Sequence, residues 1–188
     1  TPNRVSLAIV SLVGACSMTK LASIAAVVVI LSGGAIADES ASVEDASQNP
    51  PIDLSSPEQT AHSMMKAMFL GNAEMLDKVF VEDAQLRRVT AAGELRPDGF
   101  EKWRNWVGEQ SRGDVYEDIF GLETHTFGNL ATVWAPFVVS YKGEIVGCGV
   151  NQLSMANLDG EWRIVSGMDT NTDSDCSTFK ASYLAKNN

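Results

Sequence analysis

The sequence predicts an α+β fold, with its helices first and an antiparallel meander after them. Three observations predict it. Apolar residues recur at helical spacing behind capping residues as far as Val107. After Gly113 the pattern changes to period two. The second half is punctuated by Gly128-Asn129, Lys142-Gly143 and Asp159-Gly160, pairs of the kind that close short hairpins. A length of 188 residues suffices for one domain with a real core.

The first helix starts at Ser56-Pro57-Glu58-Gln59. Ser56 can cap, Pro57 suits the first turn and Gln59 completes a capping box. Ala61, Met64, Met65, Met68 and Phe69 form its apolar face, and Gly71 stops it. Asn72 can cap a second helix with Met75, Leu76, Val79 and Phe80 as its face. The methionine stripe reads as core packing, because methionine fills irregular gaps. A strand follows near 84–90, then a turn at Ala91-Ala92-Gly93. Asp98 and Glu101 have capping-box spacing ahead of a third helix carrying Phe100, Trp103, Trp106 and Val107.

The turns set the register of the strands. A two-residue Gly128-Asn129 loop pairs Phe127 with Leu130, so His125 faces Thr132 and Leu122 faces Ala135. Successive residues alternate faces. One face collects Phe120, Leu122, Ala131, Val133, Ala135, Phe137, Val139 and Tyr141 and is the predicted core face; the other carries Glu123, His125, Thr132 and Trp134. A two-residue Lys142-Gly143 loop pairs Phe137 with Cys148 and puts Cys148, Val150 and Gln152 on the core face. Two registers compete at the third turn. A two-residue Asp159-Gly160 loop pairs Val150 with Asp169 and points Asp169 inward. A three-residue loop with a bulge pairs Val150 with Met168, turns Trp162, Ile164 and Met168 inward and Asp169 outward. The bulged version is favoured, because burying three large apolar side chains is worth about 1.5 to 3 kcal/mol each and an unpartnered inward carboxylate is costly.

The N-terminal third is of another kind. Met18-Thr19-Lys20 opens a segment with a positive residue, an apolar run over 21–31 and an Ala35-Ile36-Ala37 cleavage signal, the pattern of a secretory signal peptide. The expected mature chain begins at Asp38, with translation starting at Met18. Two readings compete: a single anchor over 5–31, interrupted by Ser, Gly, Thr and Lys, and a lipoprotein box at Val13-Gly14-Ala15-Cys16, followed by a second apolar run. Residues 38–55 are polar, acidic and carry a Pro-Pro pair, and read as a flexible linker. Residues 179–188 read as a tail. The expected location is periplasmic or secreted, with no stable membrane span after processing.

The formal net charge is -10, which disfavours phosphate backbones and so nucleic acid as a partner. Export leaves Cys148 and Cys176, which either join or stay as buried thiols. His62 and His125 are the only histidines, and nothing local activates Cys148 as a nucleophile. No His/Cys/Asp cluster has metal-ligand spacing, and the glycines at 147–149 sit in a strand pattern rather than a phosphate loop, so no metal or cofactor is expected.

Short motifs then carry a resemblance. Phe80-Val81-Glu82-Asp83-Ala84, Ala131-Thr132-Val133-Trp134-Ala135-Pro136-Phe137, Cys148-Gly149, Gly160-Glu161-Trp162-Arg163-Ile164, Asp169-Thr170 and Cys176 resemble, in order and spacing, the nuclear-transport-factor-2-like superfamily and its SnoaL-like branch. The resemblance covers about residues 57–176 and assigns residues 56–178 to that domain. It implies a cone: a curved antiparallel sheet wrapped by three N-terminal helices around an apolar cavity, often dimeric through the sheet. Family members include ketosteroid isomerases, polyketide cyclases, dehydratases and epoxide hydrolases, and fold does not settle which chemistry applies. In the isomerase pattern the base stands five residues after the Asp of Phe-x-x-Asp-Ala; here that position is Arg88. A scytalone-type dehydratase needs clustered histidines, and His125 falls on the wrong face. An epoxide hydrolase needs an inward Asp-Arg-Asp set, which Asp169 with Arg87 or Arg88 approximates.

The expected function is an exported pocket for a small, largely apolar molecule, with acid/base chemistry as an extension. The alternative is a non-catalytic dimeric interaction module of the cell envelope, built on Trp134 and the outer sheet face. For the first, Asp169 is the candidate base. Trp103, Phe137, Tyr141, Cys148, Gln152 and Arg88 are the candidate ligand-binding residues, with Tyr141 and Gln152 as donors and Arg88 as anion partner. The bland reading for Asp169 is a turn carboxylate bonded to local backbone, and for the aromatics ordinary core.

Overall fold

The computed structural model describes residues 51–186. The signal-peptide expectation for 1–37 and the linker expectation over 38–50 lie outside the described residues. The elements follow one another as α1 (Pro57–Leu70), α2 (Ala73–Val79), β1 (Phe80–Val89), α3 (Phe100–Gly108), β2 (Val115–Ile119), β3 (Glu123–Phe127), β4 (Leu130–Tyr141), β5 (Glu144–Leu158), β6 (Glu161–Asn171) and α4 (Cys176–Lys186).

The helix ends are built as their residues dictate. Ser56 Oγ accepts from Gln59 N at 3.2 Å, and Gly71 ends α1 in the left-handed region at φ 63. Asn72 Oδ1 accepts from Met75 N at 2.8 Å and starts α2. Asp98 does not cap α3 by the expected box. Its Oδ1 accepts from Phe100 N and from Leu86 N, so one carboxylate ties the helix start to β1.

The sheet order is β1-β6-β5-β4-β2, with β3 continuing the β2 edge along β4. β1 runs parallel to β6, so the sheet is mixed rather than wholly antiparallel. Its inner face, with Val133, Ala135, Leu153, Met155 and Ile164, packs on Ala61, Met64, Met68, Leu76, Val79 and Val107 of the three helices. The methionine stripe is core, as its spacing implied.

Packing begins before Ser56 and ends after residue 178. Leu54 is buried, its carbonyl accepts from Trp162 N, and Asp53 N donates to Ser63 Oγ, so residues 52–55 belong to the domain rather than to the linker. Residues 179–186 are not a tail. They lie in α4, which covers part of the outer sheet face through Phe179 and Tyr183 against Phe120. Phe120 is therefore outward, not on the core face. The strand breaks at Gly121, φ 54, and Phe120 N bonds Pro136 O, one residue out of the register of β3. The same break removes the expected Leu122–Ala135 pair.

Two bulges decide which side chains face inward. The Lys142-Gly143 loop has two residues, but Ser140 pairs with Ile145 while Val139 pairs with Gly147, so Val146 is an extra residue. Beyond it Phe137 meets Gly149 and Ala135 meets Asn151. Cys148, Val150 and Gln152 thus sit on the outer face, against expectation, and Asn151 sits on the inner one. The Asp159-Gly160 loop also has two residues, yet Met155 pairs with Ile164 and Ser154 with Ser166, making Val165 the extra residue. Trp162 and Ile164 are buried, Met168 turns out and Asp169 turns in. Neither expected register contained both; a bulge away from the turn reconciles them.

Candidate active site

The inner face changes character along the sheet. Asn151 pairs with Asp169, and Asp169 with Arg88, so three polar side chains stand in one row across β5, β6 and β1. From β2 a fourth joins them: Glu117 Oε1 accepts from Asn151 Nδ2 at 2.7 Å. Where the resemblance implied an apolar lining, this end is polar.

Arg88 and Asp169 form a bidentate pair. Arg88 Nε lies 3.0 Å from Asp169 Oδ1 and 2.9 Å from Oδ2, and a terminal guanidinium nitrogen closes the fork. The hydrogen bonds that Arg88 donates to Asp169, against partial burial, hold the Arg88 pKa above its ordinary value. The Arg88 side chain is 40% exposed and that of Asp169 19%, so the pair is open to an incoming molecule.

Glu117 is the group that sequence reasoning missed. Part of the residue meets solvent, but its carboxyl is desolvated, and that burial pushes its pKa from 4.5 to about 7; Asn151 and Arg88 oppose the rise and the Asp169 charge adds to it. A signal was present: Val115, Glu117 and Ile119 alternate with Tyr116 and Asp118, placing a glutamate between two inward apolar residues.

The other expected residues divide. Tyr141 stands on the inner face, with its hydroxyl donating to Gln110 Oε1 at 3.1 Å and its ring beside Trp106. Phe137 is buried core, and Trp103 packs on Phe80 and Phe100 at 5.9 and 6.2 Å between centroids. Cys148 is not a pocket residue. It is disulfide-bonded to Cys176, with Cα atoms 5.6 Å apart, and anchors α4 to the outer face. Gln152, also outside, donates to Ser154 Oγ. His125 pairs with Thr132 on the outer face, as expected. Among the described residues no three His, Cys, Asp or Glu side chains come together as a metal would need, and no helix is long and apolar enough to cross a membrane.

The arrangement offers a carboxyl that exchanges a proton near neutrality, an anchored guanidinium, and an amide that orients the carboxyl. Such a set suits proton transfer at a molecule whose oxygen gathers negative charge.

No protein-family model and no curated protein matches the chain in sequence. Solved structures do. A protein of unknown function from Mycobacterium tuberculosis superposes with a TM-score of 0.51 at 19% identity, over 68% of this chain and 84% of that one. A protein with a cystatin-like fold from Nostoc punctiforme gives 0.50 at 12% identity, over 62% and 89%. An NTF-2-like protein from Silicibacter pomeroyi gives 0.49 at 18% identity, over 61% and 92%. The chain has a cystatin-like fold, and at these identities the likeness reaches the fold alone.

Proposed function

We propose that this chain is an exported protein that binds a small, largely apolar molecule on the inner sheet face and moves a proton on it. The observation that carries the reading is the Glu117 carboxyl, titrating at about 7 and bonded to Asn151 beside the Arg88–Asp169 pair. A group poised near the working pH is both a competent base and a competent acid. As a carboxylate, Glu117 takes a proton from a carbon next to a carbonyl. Arg88 faces the oxygen on which the charge collects, and Glu117 returns the proton to another carbon, so the substrate is isomerised with no atom lost. Asp169, expected as the base, instead holds the guanidinium in place. The disulfide fits an oxidising compartment and so supports export.

Native mass spectrometry of residues 38–188, purified from an exporting host without harsh washing, tests the reading. A reproducible extra mass that persists in Glu117→Gln and is lost in Arg88→Ala supports it. An empty chain that gains no thermal stability from a panel of small ketones and lactones overturns it.

A second reading, a dimeric interaction module, is favoured by the outer face. Phe127, Leu130, Trp134 and Met168 are 90%, 61%, 42% and 40% exposed there, a concentration of apolar surface that suits an interface. Trp134→Glu yields monomers under this reading, and sedimentation that finds the same dimer in the variant sinks it.

A further inference from the structure

We propose that the free edge of β2, facing α1 across a groove, is a docking site for an acidic peptide segment that adds to the sheet as an extended strand. The groove holds about 360 Å³. One wall is a stripe of α1, His62, Met65, Lys66 and Phe69, at the spacing of a single helix face. The other is residues 116–119, four in succession. Successive strand residues face opposite ways, so a groove lined by all four runs along the edge of the strand.

The hydrogen-bond phase makes that edge a template. Lys142 N donates to Asp114 O at 2.7 Å and Phe120 N to Pro136 O at 3.0 Å. The even-numbered residues of β2 thereby turn their backbone groups toward β4. Val115, Glu117 and Ile119 turn theirs to the groove, where no other strand pairs with them among the described residues. A helix beside an unpaired edge is the geometry in which extended peptides add by main-chain hydrogen bonds and place alternate side chains in pockets.

Charge selects the occupant. The chain carries -10, yet Lys66 and Arg112 make no ion pair among the described residues. Lys66 Nζ donates to the Pro51 carbonyl, and the Arg112 guanidinium lies 5.7 Å over the Phe69 ring. Asp118 is matched by Lys180, and Glu117 turns its carboxyl to the inner face. Met65, Ile119 and the Phe69–Tyr116 ring pair offer apolar seats between the cations. The fitting segment therefore alternates acidic and apolar side chains. The inference is independent of the proton chemistry, because it uses the backbone of β2.

Amide exchange followed by nuclear magnetic resonance on the folded chain tests it, with acetyl-Val-Glu-Val-Asp-Val-Glu-amide as the probe. The expected result is saturable binding that slows exchange at Glu117 and Ile119 about tenfold or more and leaves Tyr116 and Asp118 unchanged. A copy N-methylated at alternate residues and a lysine-for-acid copy should fail to bind. Lys66→Glu with Arg112→Glu should weaken the probe about tenfold. Equal binding of the N-methylated copy, unchanged exchange at Glu117 and Ile119, or no saturable shift up to about 1 mM probe overturns the proposal. Self-association that protects the same amides without probe overturns it in favour of a second copy.

Discussion

Replacing Glu117 by Gln should remove one component of the pH dependence of stability, with a sign opposite to that of most carboxylates. In the folded chain this carboxyl titrates at about 7, against an ordinary 4.5. Between those values the folded chain keeps a proton that the unfolded chain has released. Stability from this group is therefore complete below 4.5 and is lost as pH rises through 7. At about 1.36 kcal/mol per pH unit the span is worth about 3 kcal/mol, an upper limit because part of the residue meets solvent. Gln cannot ionise, yet its Oε1 still accepts from Asn151. Urea unfolding of both proteins at about pH 4 and pH 8 reads the effect. Wild type should lose about 1 to 3 kcal/mol relative to Glu117→Gln between the two conditions. A wild-type advantage equal at both pH values, within about 0.5 kcal/mol, refutes the reasoning that Glu117 is desolvated.

Asp169→Asn removes the charge that raises the Glu117 pKa and frees Arg88, which lowers it. The Glu117 carboxyl should then titrate lower, seen by carbon-13 resonance, at a stability cost of about 1 kcal/mol for a pair this exposed. Cys176→Ser opens a link across a sequence separation of 28, which in the chain-entropy account is worth about 3 to 4 kcal/mol; the melting temperature should fall, and reductant should lower wild type to the same value. Gly149→Ala places a Cβ 1.9 Å from Thr170 O, a backbone atom of the neighbouring strand, whereas at Gly147 the nearest atom is 3.5 Å away. Gly149→Ala should cost about 3 kcal/mol or more and Gly147→Ala far less, compared by denaturant midpoints.

Local chemistry was legible where its cause was local. Ser56, Asn72 and Gly71 mark helix ends because capping and left-handed backbone involve only neighbouring residues. The pairing of Phe127 with Leu130 follows from a two-residue loop for the same reason. α4 leaves a trace in the sequence: Asp175 Oδ1 caps Thr178 N, and Phe179 and Tyr183 stand one turn apart. The site was harder. The sequence offers Arg88 and Asp169 as an anion partner and a base, whereas the fold makes them a bonded pair, and Glu117 lies in a short edge strand whose alternation alone marks it.

By itself the sequence determined the order of elements from α1 to β6, both ends of α1 and the start of α2, the three turns and the methionine-rich core, since each rests on periodicity or on a residue's own backbone preference. Only the tertiary structure decided the faces. Period two carries a face assignment outward from each turn, and one extra residue reverses everything beyond it. Val146 sent Cys148 and Gln152 outside and Asn151 inside; Val165 let Ile164 and Asp169 share the inner face. Neither bulge has a sequence mark of its own, because each is selected by the packing of residues far along the chain, and those two residues place Asn151 and Asp169 on the inner face beside Arg88 and Glu117.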